Sequence, residues 1–310
     1  MTESEPMELP RGIALAWGVA ANPQRGPKRE MSVERIVDAA VELADSDGIG
    51  AVSMAAVAAA LGFTPMSLYR YVSAKDDLLL LMQEQATGLP PDSIRGLASW
   101  RERLLALYEE QVLLYQRHPW VLSLPITGSP VTPNSSAWLD ASLDALESTP
   151  LSTEERMAVA LAVTGDARWC GIVHAGYTEQ SRGSGLSPLE VAVRESALYD
   201  RVITADEFPA LRRAIDDGIF LSPADPFRFG IERVLDGVAS YIDALDRGGA
   251  HEVSAEWIAL DPAEVAGDKR VRDAQKAVRD AEKSLRAAHR LERQALREAR
   301  ERRARSKTSG

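Results

Sequence analysis

The 310-residue chain has one cysteine, Cys170. That excludes an intramolecular disulfide and any cysteine-rich zinc module, and it suits a reducing compartment. Aromatic residues are sparse at 6%. No apolar run approaches the roughly 18 residues that a membrane-spanning helix needs. The first residues place Glu3, Glu5 and Glu8 ahead of the apolar "IALAWGVA", which lacks the basic flank of a signal peptide. A cytoplasmic protein without membrane contact is expected. The chain also lacks a nucleophile elbow, a P-loop, a dinucleotide-binding glycine pattern and an HExxH pair. Neither an enzyme nor a bound metal or cofactor is expected.

What is present is ordinary globular composition, 45% hydrophobic and 26% charged, in a chain long enough for two cores. Ala, Leu, Glu and Arg dominate, and the apolar residues recur at helical spacing, so the fold class is all-α. The net charge of −10 conceals a split: residues 268–310 hold 15 Lys/Arg against 7 Asp/Glu, a net of +8 that leaves −18 on residues 1–267. Such asymmetry points to separate roles for body and tail.

Residues 1–30 read as an extended arm, interrupted by Pro6, Pro10, Pro23 and Pro27 and ending in the basic "QRGPKR". A first helix is expected from Ser32 to Asp47, with Val33, Ile36, Val37, Ala40, Val41 and Ala44 on one face and Gly48 ending it. A second runs from Ser53 to Leu61, turning Met54, Val57, Ala58 and Leu61 inward. Gly62 supplies a left-handed turn, Thr64 caps a third helix, and Pro65 takes its first position, where a missing N–H costs nothing. Ser73 and Asp76 spell an S-x-x-D cap for a fourth helix. Longer helices follow over Trp100–Arg117, 133–146, 152–177, 188–204 and 208–217. "QSRGSGLS" (180–187) reads as a loop. A last helix of the body starts at Pro226, with Phe227, Ile231, Val234, Leu235, Val238, Ile242 and Leu245 inward.

A helix, a glycine turn and a proline-started helix are the parts of a helix-turn-helix. Within the third helix only Leu68 and Val72 are needed for the core. Thr64, Ser67, Tyr69 and Tyr71 are then available to phosphates or bases, and Arg70 suits guanine O6/N7. Lys75 opens the fourth helix, where charge and free N–H groups suit a phosphate. The bland alternative is an αα-hairpin inside a core, with the tyrosines as packing. Cap, turn, tyrosines and lysine point independently to DNA.

The stretch "SMAAVAAALGFTPMSLYRYVSAKDDLL" resembles the DNA-binding domain of the TetR family of bacterial regulators, over about Val33 to Met82. "HPWVLSL" and "FPALRRAI" resemble the tetracycline-repressor-like ligand-binding half. The resemblance implies a homodimer on a palindromic operator, most simply a repressor released by a small-molecule effector. It assigns Ser53 to a phosphate, Pro65, Met66, Ser67 and Arg70 to bases, and Tyr69, Tyr71 and Lys75 to the backbone. One departure is that "MAAVAAA" has no basic residue near its start. Arg25, Lys28 and Arg29 in the arm are expected to compensate from a flanking minor groove.

The organisation expected is therefore an arm (1–30), a DNA-binding domain (31–82), a helical ligand-binding and dimerisation domain (83–248), a linker (249–267) and a basic helical tail (268–310). Effector-pocket walls are sought among aromatic and polar residues of the middle helices: Trp100, Tyr108, Tyr115 and Trp138, then Arg168, Trp169, His174 and Tyr177, with Trp120 nearby. Asp166, Cys170 and His174 fall at i, i+4, i+8 and offer a metal or redox site as an alternative, against the plainer reading of Cys170 as a small buried hydrophobe. Dimerisation is placed on the helices at about 153–177 and 226–246, where Gly230 and Gly237 permit close approach. The tail has an Ala-rich a/d-like seam through Val271, Ala274, Val278, Ala281, Leu285 and Ala288, spoiled at Glu292. A solvated ion-paired helix, a coiled-coil-like dimer or partner contact, and sequence-independent DNA affinity all remain open for it, the last as an architectural or constitutive alternative to effector control.

Overall fold

The computed structural model describes residues 9–19, 31–126, 131–252 and 267–308, and no strand occurs among them. Two compact units divide the chain, 1–251 and 252–310. Helices of the first are α1 (Arg11–Ala16), α2 (Val33–Asp47), α3 (Met54–Leu61), α4 (Pro65–Leu68), α5 (Lys75–Thr87), α6 (Trp100–Arg117), α7 (Pro133–Ala145), α8 (Thr153–Ser184), α9 (Pro188–Val202), α10 (Pro209–Asp216) and α11 (Pro226–Asp246). The second unit holds α12, Lys269–Thr308. No described helix is long and apolar enough to cross a membrane.

The first unit contains two cores. One gathers Ile36, Val37 and Ala40 of α2, Val57 and Ala58 of α3, Leu68, Val72, and Leu78 and Met82 of α5. The other gathers Leu104, Leu107 and Tyr108 of α6 with Ala141, Val163, Ala167, Cys170, Ile231 and Leu235. Helix α6 belongs to both, because its last turns send Leu114 and Tyr115 into the first core. At 18 residues it is about 27 Å long, enough to connect two cores with one rigid rod.

Local chemistry sets most helix ends. Ser32 and Ser53 accept from the backbone N–H of Arg35 and Ala56. Ser99–Glu102, Ser152–Glu155 and Ser187–Glu190 form complete capping boxes, each satisfying two otherwise orphaned donors.

Four expectations fail. The arm is not wholly extended: between its prolines, residues 11–16 form α1, whose Gly12 is buried. There is no room for a side chain there, since a Cβ would lie 2.8 Å from the Asp77 carboxylate of α5. Ser73 and Asp76 do not cap α5. The N-cap is Ala74, and the Ser73 hydroxyl instead donates to Asp77 Oδ2 at 2.7 Å. Most of the expected loop 180–187 is helix: α8 runs to Ser184 and stops at Gly185, whose φ is 69°. An isolated Gly183 costs a helix only about 1 kcal/mol, and the Ser184 hydroxyl returns to the Gln180 carbonyl. Val234 faces outward, 43% exposed, because α11 buries the Ile231–Leu235–Ile242 edge instead.

Candidate functional site

The recognition unit is built from short-range geometry. Gly62 is left-handed at φ 76°, and Phe63 N–H returns to the Ala58 carbonyl at 2.8 Å, so α3 closes and the chain turns within three residues. Pro65 begins α4, a single α-turn that continues as a tighter turn through Tyr71, with Val72 N–H on the Leu68 carbonyl. Leu68 and Val72 are both fully buried. Anchored at those two points, the segment presents its other side. Met66 is 70% exposed, and Pro65, Tyr69 and Arg70 are exposed with it. Arg70 makes no ion pair among the described residues. The Thr64 and Ser67 hydroxyls pair with each other at 3.0 Å. Tyr71 is half-buried against the first core. Ser53 is exposed at the head of α3 and Lys75 at the head of α5, where Asp76 and Asp77 share its turn. Arg25, Lys28 and Arg29 lie outside the described residues.

Two joints tie α2 and α5 to the elements that follow them. Asp45, at the end of α2, accepts from Trp120 Nε1 at 2.6 Å and lies 2.8 Å from His118 Nδ1. Those residues lie in and before the single turn Pro119–Ser123 that follows α6. Glu84 of α5 accepts the Asn134 N–H at 2.6 Å, its carbonyl accepts from Asn134 Nδ2, and Trp138 Nε1 donates to the Gly88 carbonyl. A carboxylate from α5 thus caps α7, whose own Thr132 makes no side-chain cap.

In the second core three polar groups meet between α6 and α8. The Tyr108 hydroxyl is buried beside Cys170 and Asp166, and neither it nor Asp166 Oδ2 has a well-formed hydrogen bond. Burial pushes the Tyr108 phenol, the Asp166 carboxyl and the Cys170 thiol all up from their ordinary values. Buried polar groups without good hydrogen bonds are costly in a core. Next to them Gly171 lets α8 approach Tyr115 closely.

Residues 36–82 match the family described as bacterial regulatory proteins, tetR family, and residues 93–242 match the tetracyclin repressor-like C-terminal domain. An HTH-type transcriptional repressor, DrrR1, from Streptomyces coeruleorubidus is 31% identical over 233 residues, 74% of this chain and 86% of that one. The chain belongs to the TetR family of transcriptional regulators. An HTH-type transcriptional regulator of Saccharopolyspora erythraea is 32% identical over 164 residues, 53% of this chain and 70% of its own. Among solved structures, the Streptomyces coelicolor TetR family protein ActR in complex with (S)-DNPA superposes with a TM-score of 0.54 at 20% identity, covering 69% of this chain and all of its own. At that identity the likeness carries the fold alone.

Within this TetR fold the expected pocket residues do not share one wall. Tyr108 is buried in the second core, and Trp100 is half-buried against it. Tyr115 sits in the first core, its phenol raised by burial, with Arg168 offsetting part of that rise. Arg168 itself donates to the Leu122 and Leu124 carbonyls. Trp138 is committed to the Gly88 joint, and Tyr177 donates to Glu195 of α9 at 2.5 Å, which with burial pushes its phenol to about 12. His174 is exposed beside Phe227, ring centroids 6.0 Å apart. Trp169 is excluded from the core altogether, 57% exposed on the outer face of α8. One cleft of about 100 Å³ lies between residues 89–95, Arg103 and α7, and none of the expected residues lines it. The metal alternative fails as well: among the described residues no three His, Cys, Asp or Glu side chains converge on a common point. On a helix of 3.6 residues per turn the steps of four rotate His174 away from Asp166. Asp45 and Glu84 were missed because each looks like ordinary surface charge until partners 73 and 50 residues distant arrive.

Proposed function

We propose that this TetR-family regulator is a dimeric repressor of a palindromic operator, released when a small molecule enters the second core between α6, α8 and α11. The observation that carries the reading is the double membership of α6. Its Leu104–Tyr108 stretch lines the ligand-facing core, and its Leu114–Tyr115 end lies in the DNA-facing core. A ligand that displaces α6 against α8 moves the turn bearing Trp120, and through Asp45 it moves α2. The effector affinity required is set by the difference between the two spacings, not by total binding.

The groups at the centre define effector chemistry. A mostly apolar molecule with a hydroxyl or phenol is favoured, since it can donate to Asp166 and accept from Tyr108. The dimer forms through the outer faces of α8 and α11. Leu161, Gly165, Trp169, Ile172 and Gly176 repeat at helical spacing on α8, and Phe229 and Val234 project from α11. So much exposed apolar surface on adjacent helices marks an interface, and a Cβ at Gly230 or Gly237 would meet nothing in the single chain.

Selection of bound duplexes from a random pool tests the operator reading. Wild type is expected to return a palindrome with half-sites one helical turn apart. Arg70→Ala is expected to relax one symmetric pair of positions by about 1–3 kcal/mol. A motif without two-fold symmetry, or one unchanged in Arg70→Ala, defeats the assignment. Trp169→Asp is expected to run as a monomer in size-exclusion chromatography.

A further inference from the structure

Helix α12 carries a pattern that operator recognition does not use. With Val271, Ala274, Val278, Ala281, Leu285 and Ala288 as a and d positions of a heptad, the b and f positions lie on the opposite side. From Lys269 through Arg272, Lys276 and Arg279 to Arg300, in alternating steps of three and four, all ten b and f positions are Lys or Arg. The acidic residues of the helix all fall elsewhere. Asp268 ends up at the helix start, where it accepts from the Arg270 and Val271 N–H groups. The ridge spans about 46 Å at 1.5 Å per residue. It drifts by only about 20° per heptad, so it stays on one side of the rod. Arg272, Lys276, Arg279, Lys283 and Arg286 are exposed and make no ion pair among the described residues.

The recognition domain is short of this kind of charge. Residues 31–82 contain three Lys/Arg, namely Arg35, Arg70 and Lys75, against seven Asp/Glu. A DNA-binding domain normally draws much of its affinity from phosphate neutralisation, and here little is available from within.

We propose that the ridge of α12 is a second DNA-binding element that lies along the phosphates of duplex DNA without reading sequence. Duplex DNA carries a phosphate charge about every 1.7 Å of axis, so a stretch as long as the ridge carries about 27 phosphates against its ten cations. An anionic membrane fits the helix poorly. Its apolar side alternates Ala with Val and Leu, and no Phe, Trp or Tyr occurs from 269 to 308, whereas helices that insert at lipid surfaces use bulky apolar groups.

The test uses the full chain and a 40-bp mixed-sequence duplex, so that it does not depend on the operator. A ridge variant (Lys276→Gln, Arg279→Gln, Lys283→Gln, Arg286→Gln) is compared with an off-ridge variant that loses the same number of charges, four (Arg270→Gln, Arg302→Gln, Arg303→Gln, Arg305→Gln). Gln matches Lys and Arg in helix propensity, and circular dichroism checks that helicity is kept. The plot of log affinity against log salt is expected to flatten by about 4 in the ridge variant, and by less than half as much in the off-ridge variant. Equal changes in the two variants reduce the effect to net charge and overturn the proposal, as does a ridge variant that binds like wild type. Tighter wild-type binding to vesicles containing phosphatidylserine than to the duplex overturns it in favour of a membrane.

Discussion

Gly171→Ala is the most direct probe of the α6–α8 contact on which effector control rests. A Cβ at this position would lie 2.8 Å from Tyr115 Cδ2, 2.9 Å from Tyr115 Cβ and 3.0 Å from Tyr115 Cγ. The Tyr115 Cβ moves with the backbone of α6, so rotating the ring does not relieve the clash. The helices must separate. Overpacking of this kind costs about 1–3 kcal/mol, while Ala in a helix interior gains about 1 kcal/mol over Gly. The net expectation is a loss of up to about 2 kcal/mol, read as a lower urea midpoint at unchanged m-value. Gly183→Ala on the same helix is the control. Nothing lies within 4 Å of its added Cβ, and it should stabilise by up to about 1 kcal/mol. Because Gly171→Ala forces the spacing that an effector is proposed to favour, it should also weaken binding to the selected duplex without any ligand. If both substitutions stabilise the protein equally, α6 and α8 are not in close contact at Tyr115 and the reasoning fails.

Asp45→Ala should cost about 1–3 kcal/mol by leaving the Trp120 indole N–H unpaired inside the first core, and it should weaken DNA binding through the lost joint; unchanged melting would mean that the joint contributes nothing. Leu68→Ala, at a fully buried position, should cost about 2–5 kcal/mol, whereas Met66→Ala on the exposed side should stay within about 0.5 kcal/mol; denaturant melts of the two distinguish anchor from reading surface. Glu155 is held down to about 2 from an ordinary 4.5, first by the Tyr241 hydroxyl and then by the Ser152 N–H and His251. A depressed carboxyl stabilises the fold above its unfolded pKa, and that contribution is lost as pH falls from about 4.5 towards 2. Tyr241→Phe should therefore move the acid-unfolding midpoint, followed by near-ultraviolet circular dichroism, to higher pH; an unmoved midpoint would show that the hydroxyl is not what holds Glu155 down.

The recognition unit was legible because every signal it needs is local. Ser53 caps its own helix three residues on, Gly62 takes the left-handed turn only glycine takes cheaply, Pro65 starts a helix, and the Leu68–Val72 spacing declares which side is buried. The larger half was legible as helices but not as a site. Trp169 and Tyr115 both stand at helical spacing, yet one is exposed on α8 and the other is packed under Gly171, and nothing within a few residues of either distinguishes them. The apparent loop at 180–187 failed for a related reason: glycine and serine lower helix propensity by amounts that a continuing helix readily absorbs.

The sequence by itself determined the class of protein, the helix-turn-helix, the caps at Ser32 and Ser53 and the segregation of positive charge into the last forty residues, since each depends on backbone preference or composition over short spans. Only tertiary structure decided that α6 serves two cores, that Asp45 and Glu84 tie the DNA-binding helices to the rest, and that Tyr108, Asp166 and Cys170 come together between α6 and α8. Those are pairings between distant residues, and which face of a helix is buried is settled only when another helix arrives to cover it.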